Sequence, residues 1–127
     1  MDGKPMTVRT KLRVLLVEPD NQLREIFTEY LAQEGVEVIP VEELGMAWPL
    51  LQATAPDVAV VANPWPPGRV LPAPEGFWWQ KRLRKVPLVL LLTFPQPEVV
   101  TQFEAAEVLL KPFSLRQLVQ AICRCVA

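Results

Sequence analysis

Few side chains in this sequence could do chemistry, and their types restrict it. Glu18 and Asp20 lie two residues apart around Pro19, and Asp57, Asn63, Thr93 and Lys111 follow further along. These supply carboxylate, amide and hydroxyl oxygens and one ammonium. The chain has no histidine and 2 cysteines, Cys123 and Cys125, so neither a four-ligand zinc site nor a Cys–His nucleophile can be assembled. If residues 114–126 are helical, the two cysteines point roughly 200° apart at roughly 100° per residue, which forbids a bridge between them. Cys123 is expected in the core and Cys125 as a free surface thiol. The glycines form neither a P-loop nor a dinucleotide fingerprint, so nucleotide binding is unsupported.

Elements that could position these groups are visible in the hydrophobic pattern. Residues 12–17, 58–62 and 88–92 are short, nearly continuous apolar runs, the pattern of strands buried on both faces. Leu23, Ile26, Phe27, Tyr30 and Leu31 repeat at helical spacing, with Gly35 as a C-terminal stop. Residues 36–41 make a shorter strand. Leu44, Ala47, Trp48 and Leu51 trace a second helical stripe that Pro49 interrupts, so this helix is expected to start late, near Gly45 to Trp48, or to kink. Pro97 is expected to open a small helix carrying Val99, Val100 and Phe103 inward. Ser114 and Gln117 form a capping box ahead of a last helix with Leu115, Leu118, Val119, Ile122, Cys123 and Val126 on one face.

Strands alternate with helices through short connections, which predicts an α/β fold: a doubly wound, five-stranded parallel sheet with helices on both faces. In such a fold ligands bind beyond the carboxyl ends of the strands. The residues after Val17, Val61, Leu92 and Leu110 are therefore the ones to inspect. Asp57 precedes its strand, and is expected to help end the preceding helix or turn.

Length and composition bound the answer further. A chain of 127 residues, 50% of them hydrophobic, has the material for one core and is expected to fold as one domain over 11–127 behind a tail at 1–10. A net charge of −1 gives no general field for nucleic acid. No stretch is long and apolar enough to span a membrane, and residues 1–13 lack a signal-peptide core, so a cytoplasmic location is expected.

Taken in order, the strand ends are Val17-Glu18-Pro19-Asp20, Val58-Ala59-Val60-Val61-Ala62, Leu91-Leu92-Thr93 and Leu110-Lys111-Pro112-Phe113. Over residues 12–126 this resembles the receiver domains of bacterial two-component signalling, a flavodoxin-like fold. The resemblance implies the sheet order 2-1-3-4-5 and a cis peptide at Lys111-Pro112. It also implies a site at Glu18, Pro19, Asp20, Ala62, Thr93 and Lys111. In that family an acidic pair after the first strand and an aspartate ending the third bind magnesium, and that aspartate accepts phosphate. Those positions here are Glu18, Pro19 and Ala62. Magnesium takes oxygen ligands, and neither proline nor alanine has a side-chain oxygen. Ala62 cannot attack a phosphoryl group, and Asp57 is about 16 Å back along the same strand. Thr93 and Lys111 match the family's phosphate-reading hydroxyl and lysine, and are expected to turn to Glu18 or Asp20 instead. The family's switch aromatic falls at Val108. No cofactor and no metal are expected.

Three features lie outside the resemblance. Residues 63–76 are rich in proline, which suits a stiff cover or a recognition segment. Phe77-Trp78-Trp79 follows, and Trp65, Trp78 and Trp79 are candidate partner contacts. Lys81-Arg82-Leu83-Arg84-Lys85 reads as a solvated helix end, or as a basic patch.

The leading functional expectation is therefore a phosphorylation-independent, receiver-like module that docks a protein partner in signal transduction and is not an enzyme. Two alternatives stand beside it. In one, Glu18, Asp20 and Asn63 rebuild a weakened metal or phosphoryl site around Thr93 and Lys111. In the other, residues 81–85 hold nucleic acid, which the charge balance disfavours. Receiver domains commonly pair through the face of the fourth helix, fifth strand and fifth helix. Here Arg116, Gln120 and Arg124 on the last helix, with Gln96, Glu98 and Gln102 nearby, would give the 97–124 face a weak, salt-sensitive contact, including a weak homodimer.

Overall fold

The apolar runs become the middle of a parallel sheet, in a computed structural model that describes residues 11–64 and 86–126. The elements are β1 (Arg13–Val17), α1 (Asn21–Gln33), β2 (Glu37–Val41), α2 (Leu44–Thr54), β3 (Val58–Ala62), β4 (Leu88–Leu92), α3 (Pro97–Phe103), β5 (Glu107–Leu110) and α4 (Leu115–Val126), numbered over the described residues. The sheet order is β2-β1-β3-β4-β5, as the resemblance implied, with every pairing parallel, as the pattern predicted. The segment 65–85, with its tryptophans, its basic run and the helix end expected there, and the tail at 1–10 lie outside the described residues.

Every residue of β3 and β4 is buried, because both strands are central and covered on both faces. Side chains alternate across the sheet and split the core in two. Val14, Leu16, Val58, Val60, Val89 and Leu91 meet Phe27 and Leu31 of α1 and Leu118, Ala121 and Ile122 of α4. Leu15, Val17, Ala59, Val61, Leu90 and Leu92 meet Ala47 and Leu51 of α2 and Val99 and Phe103 of α3. The first and last helices thus share one face and the other two lie opposite.

Local chemistry sets the helix ends. The Asp20 side chain caps α1 by accepting from the Leu23 N–H at 3.0 Å, and Gly35 at φ +83° closes its far end. Ser114 and Gln117 exchange both bonds of the capping box, at 3.0 and 2.8 Å. Helix α2 begins at Leu44, earlier than expected, and runs through Pro49. The N–H that Pro49 lacks would have reached the Gly45 carbonyl, so one bond is missing inside the helix. Burial of Ala47 and Leu51 offsets a cost of about 3 kcal/mol. The helix ends at Ala55, which lies in the left-handed region, and Pro56, which cannot continue a helix, follows. The side chain of Trp48 lies outside the described residues. At the amino end of the sheet, the Asp57 carboxylate accepts from the Arg13 N–H at 2.8 Å, and the Arg13 guanidinium donates to the Thr54 carbonyl. Asp57 therefore ties the α2–β3 turn to the start of β1.

The buried face of α4 corrects the cysteine expectation. Cys123 is exposed and Cys125 is half-buried against the core. The large apolar side chains had placed the stripe too far round. Small Ala121 lets the helix approach the sheet, centring the face on Leu118, Ala121, Ile122 and Cys125. Cys123 is then roughly 140° from Leu118 around the axis, and Val126 is exposed past the end of the core. On α3, Val99 and Phe103 are buried as expected and Val100 packs partly against them. Gln96 departs from expectation. It is buried, 5% exposed, at the residue before α3, where its carbonyl receives the Val99 and Val100 N–H groups. Gln102 is half-buried, leaving Glu98 as the exposed member of the three.

Burial pushes the Cys125 thiol pKa up, the Glu107 carboxylate adds to the rise and Arg124 opposes it. A thiol-alkylating reagent should therefore label Cys123 well before Cys125, read by mass spectrometry after peptide digestion. The raised pKa means the fold favours the neutral thiol. That contribution is intact at neutral pH and is lost as pH climbs through the raised value. Equal labelling rates below that range would show that Cys125 is not packed against the sheet.

Candidate functional site

The carboxyl ends of β1, β3, β4 and β5 bring Glu18, Asn63, Thr93 and Lys111 into one region. Glu18 follows β1 directly, and its N–H donates to the Val41 carbonyl at 3.1 Å. The side chain is 1% exposed. One carboxylate oxygen accepts from Lys111 Nζ at 3.0 Å and the other from the Asp20 N–H at 3.1 Å. The Lys111 side chain is 17% exposed, so this ion pair is largely shielded from solvent. Lys111 is held from behind, its N–H donating to the Leu92 carbonyl at 2.7 Å. The Lys111-Pro112 peptide is cis, as the resemblance implied.

Thr93 turns to a different partner from the one expected. The Asn63 amide donates to Thr93 Oγ1 at 3.0 Å, and the Thr93 N–H donates to Asn63 Oδ1 at 2.9 Å. This pair of bonds joins the end of β3 to the end of β4. Asn63 sits at φ +41°, a conformation its short polar side chain tolerates. Ala62 ends β3 buried among apolar side chains, and Pro19 is exposed. Asp20 serves as the cap of α1 and meets Glu18 through its backbone.

Arg24 is a member of this region that sequence reasoning missed. Its guanidinium donates to the Glu18 carbonyl at 2.8 Å and to Asn21 Oδ1 at 2.6 Å. Its place one helical turn beyond the Asp20 cap was the signal available. The tryptophans at 65, 78 and 79 lie outside the described residues. Arg116, Gln120 and Arg124 are exposed on α4, and Arg124 reaches Glu107 of β5 at 2.9 Å, which raises its already high pKa.

At these strand ends the polar groups meet one another. The buried carboxylate faces an ammonium, the hydroxyl faces an amide, and the strand end between them carries a methyl group. Among the described residues, no three His, Cys, Asp or Glu side chains gather into a group able to hold a metal ion.

By sequence, no family model and no curated protein matches this chain. Solved structures do. An orphan response regulator of H. pylori superposes with TM-score 0.75 at 18% identity, covering 94% of this chain and 100% of that one. The non-phosphorylated HemR receiver domain from Leptospira biflexa matches with TM-score 0.74 at 28% identity, over 92% of this chain and 95% of that one. The chemotaxis protein CheY4 of Vibrio cholerae gives TM-score 0.73 at 21% identity, over 91% and 98%. This chain has the receiver fold. Within that fold, the Glu18–Lys111 pair and the Asn63–Thr93 pair occupy the strand ends where receiver-like sites are expected to lie.

Proposed function

We propose that this chain is a receiver-like signalling module of the cytoplasm that docks a protein partner without being phosphorylated. The observation that carries the reading is the strand-end chemistry. Ala62 offers no oxygen to attack or to bind magnesium, and Lys111 is already neutralised by buried Glu18. A receiver scaffold without that chemistry acts through its surface, a step that rests on analogy to the fold. The rebuilt-site reading finds no support in the described residues, since Glu18, Asp20 and Asn63 each have other work. The basic run at 81–85 lies outside the described residues.

We place the docking face on α3, β5 and α4. Val108 and Leu110 are exposed on the edge strand, beside the polar residues Arg116, Gln120 and Arg124. This mixture suits a reversible, salt-sensitive contact, with a partner or weakly with a second copy, better than an obligate interface with a largely apolar centre. Among the described residues, no helix is long and apolar enough to cross a membrane.

Incubation with magnesium and acetyl phosphate should leave the intact mass unchanged. Titration with magnesium and beryllofluoride should leave tryptophan fluorescence unchanged. A mass increase of one phosphoryl group, or a saturable fluorescence change, would overturn the reading.

A further inference from the structure

An apolar cleft opens beside the Glu18–Lys111 pair. Its volume is about 400 Å³, and it is lined by Leu23, Phe27, Thr93, Lys111, Pro112 and Phe113. Pockets that take small organic molecules run from roughly 300 to 1,000 Å³, with apolar walls and a few placed polar groups. The walls here are Leu23 and Phe27, one turn apart on α1, and Pro112 and Phe113 ahead of α4. The rings of Phe27 and Phe113 stack with centroids 5.8 Å apart at 28°.

The polar end of the cleft presents donors. Thr93 Oγ1 accepts from Asn63, which leaves its hydroxyl proton to give. Lys111 gives one N–H to Glu18, and an ammonium carries two more. The charge of that ammonium is met by a carboxylate at 3.0 Å, so the polar end offers hydrogen bonds without a net positive field. A dianion such as phosphate would meet the Glu18 carboxylate, which already takes up the charge of Lys111, while the nearby Arg24 guanidinium is turned to the Glu18 carbonyl, Asn21 and Glu42.

We propose that this cleft binds a small, uncharged aromatic molecule carrying a carbonyl-type acceptor, with the ring against Phe27 and Phe113 and the acceptor on Thr93 and Lys111. Phenylacetamide is the probe, titrated into the full chain and followed by two-dimensional NMR. Saturable shifts are expected at the lining residues, with none from inorganic phosphate. Thr93→Val should weaken binding roughly tenfold, the loss of one hydrogen bond to the ligand. Thr93→Ser should retain binding. Leu23→Trp, at a half-buried position in the first turn of α1, should crowd the ring end of the cleft and weaken binding while the far-ultraviolet circular dichroism stays unchanged. Absence of saturable shifts in the parent chain would overturn the proposal, as would unchanged affinity in Thr93→Val or Leu23→Trp, or tighter binding of phosphate than of phenylacetamide. None of these results bears on the absence of phosphorylation, which the phosphodonor experiment tests separately.

Discussion

Replacing Lys111 with methionine is expected to destabilise the fold by roughly 3 kcal/mol in urea unfolding, because it strands a buried carboxylate. Glu18 is 1% exposed and its oxygens have two partners, the Lys111 ammonium and the Asp20 N–H. With the ammonium gone, the charge keeps one backbone donor and little water. Removing one member of a buried pair costs much more than removing both, since the desolvation of the survivor is no longer compensated. The double variant Glu18→Leu with Lys111→Met should therefore recover most of the loss. A cost for Lys111→Met below about 1 kcal/mol would place the pair with solvated surface ion pairs. It would also remove the argument that the site is closed from within.

Leu92→Ala and Leu110→Ala should differ sharply although the two residues are partners in the β4–β5 ladder. Leu92 is 1% exposed and packs in the layer with Val99 and Phe103, whereas Leu110 is 47% exposed on the edge strand. Truncating a fully buried leucine costs about 2–5 kcal/mol, a transfer contribution plus that of the cavity left behind. Leu110 has much less burial to lose, so its truncation should cost under about 1 kcal/mol. Chemical unfolding of both variants decides the matter. Comparable losses would mean that β5 is covered in solution, and the exposed Val108 and Leu110 would then belong to an interface already formed.

The fold was largely legible in the pattern of the chain. Runs such as Val58–Ala62 and Leu88–Leu92 are apolar at every position, which central parallel strands require and edge strands do not. The capping box at Ser114 and the glycine at 35 are local devices whose chemistry lies within a few residues, so sequence alone exposes them. Of the two outcomes expected from Pro49, a late start or a kink, the late start did not hold, because burial of Ala47 and Leu51 against distant strands outweighs the local rule. The burial of Cys125 over Cys123 was missed for a similar reason, as the approach of a helix to a sheet depends on the small residue at 121 and on what it meets there.

For the site, the sequence determined which groups exist: an acid at 18, no oxygen at 19 or 62, a hydroxyl at 93 and a lysine at 111. Those absences follow from side-chain chemistry and hold in any fold. Which groups meet was decided only by the tertiary structure. Glu18 and Lys111 are 93 positions apart, and Asn63 and Thr93 are 30 apart. No local pattern records such distances. The parallel sheet carries β1, β3, β4 and β5 to a common end, and burial there makes each remaining polar group find a partner or bear the cost of desolvation. The choice of Lys111 for Glu18, and of Asn63 for Thr93, is the arrangement in which these four groups are satisfied together.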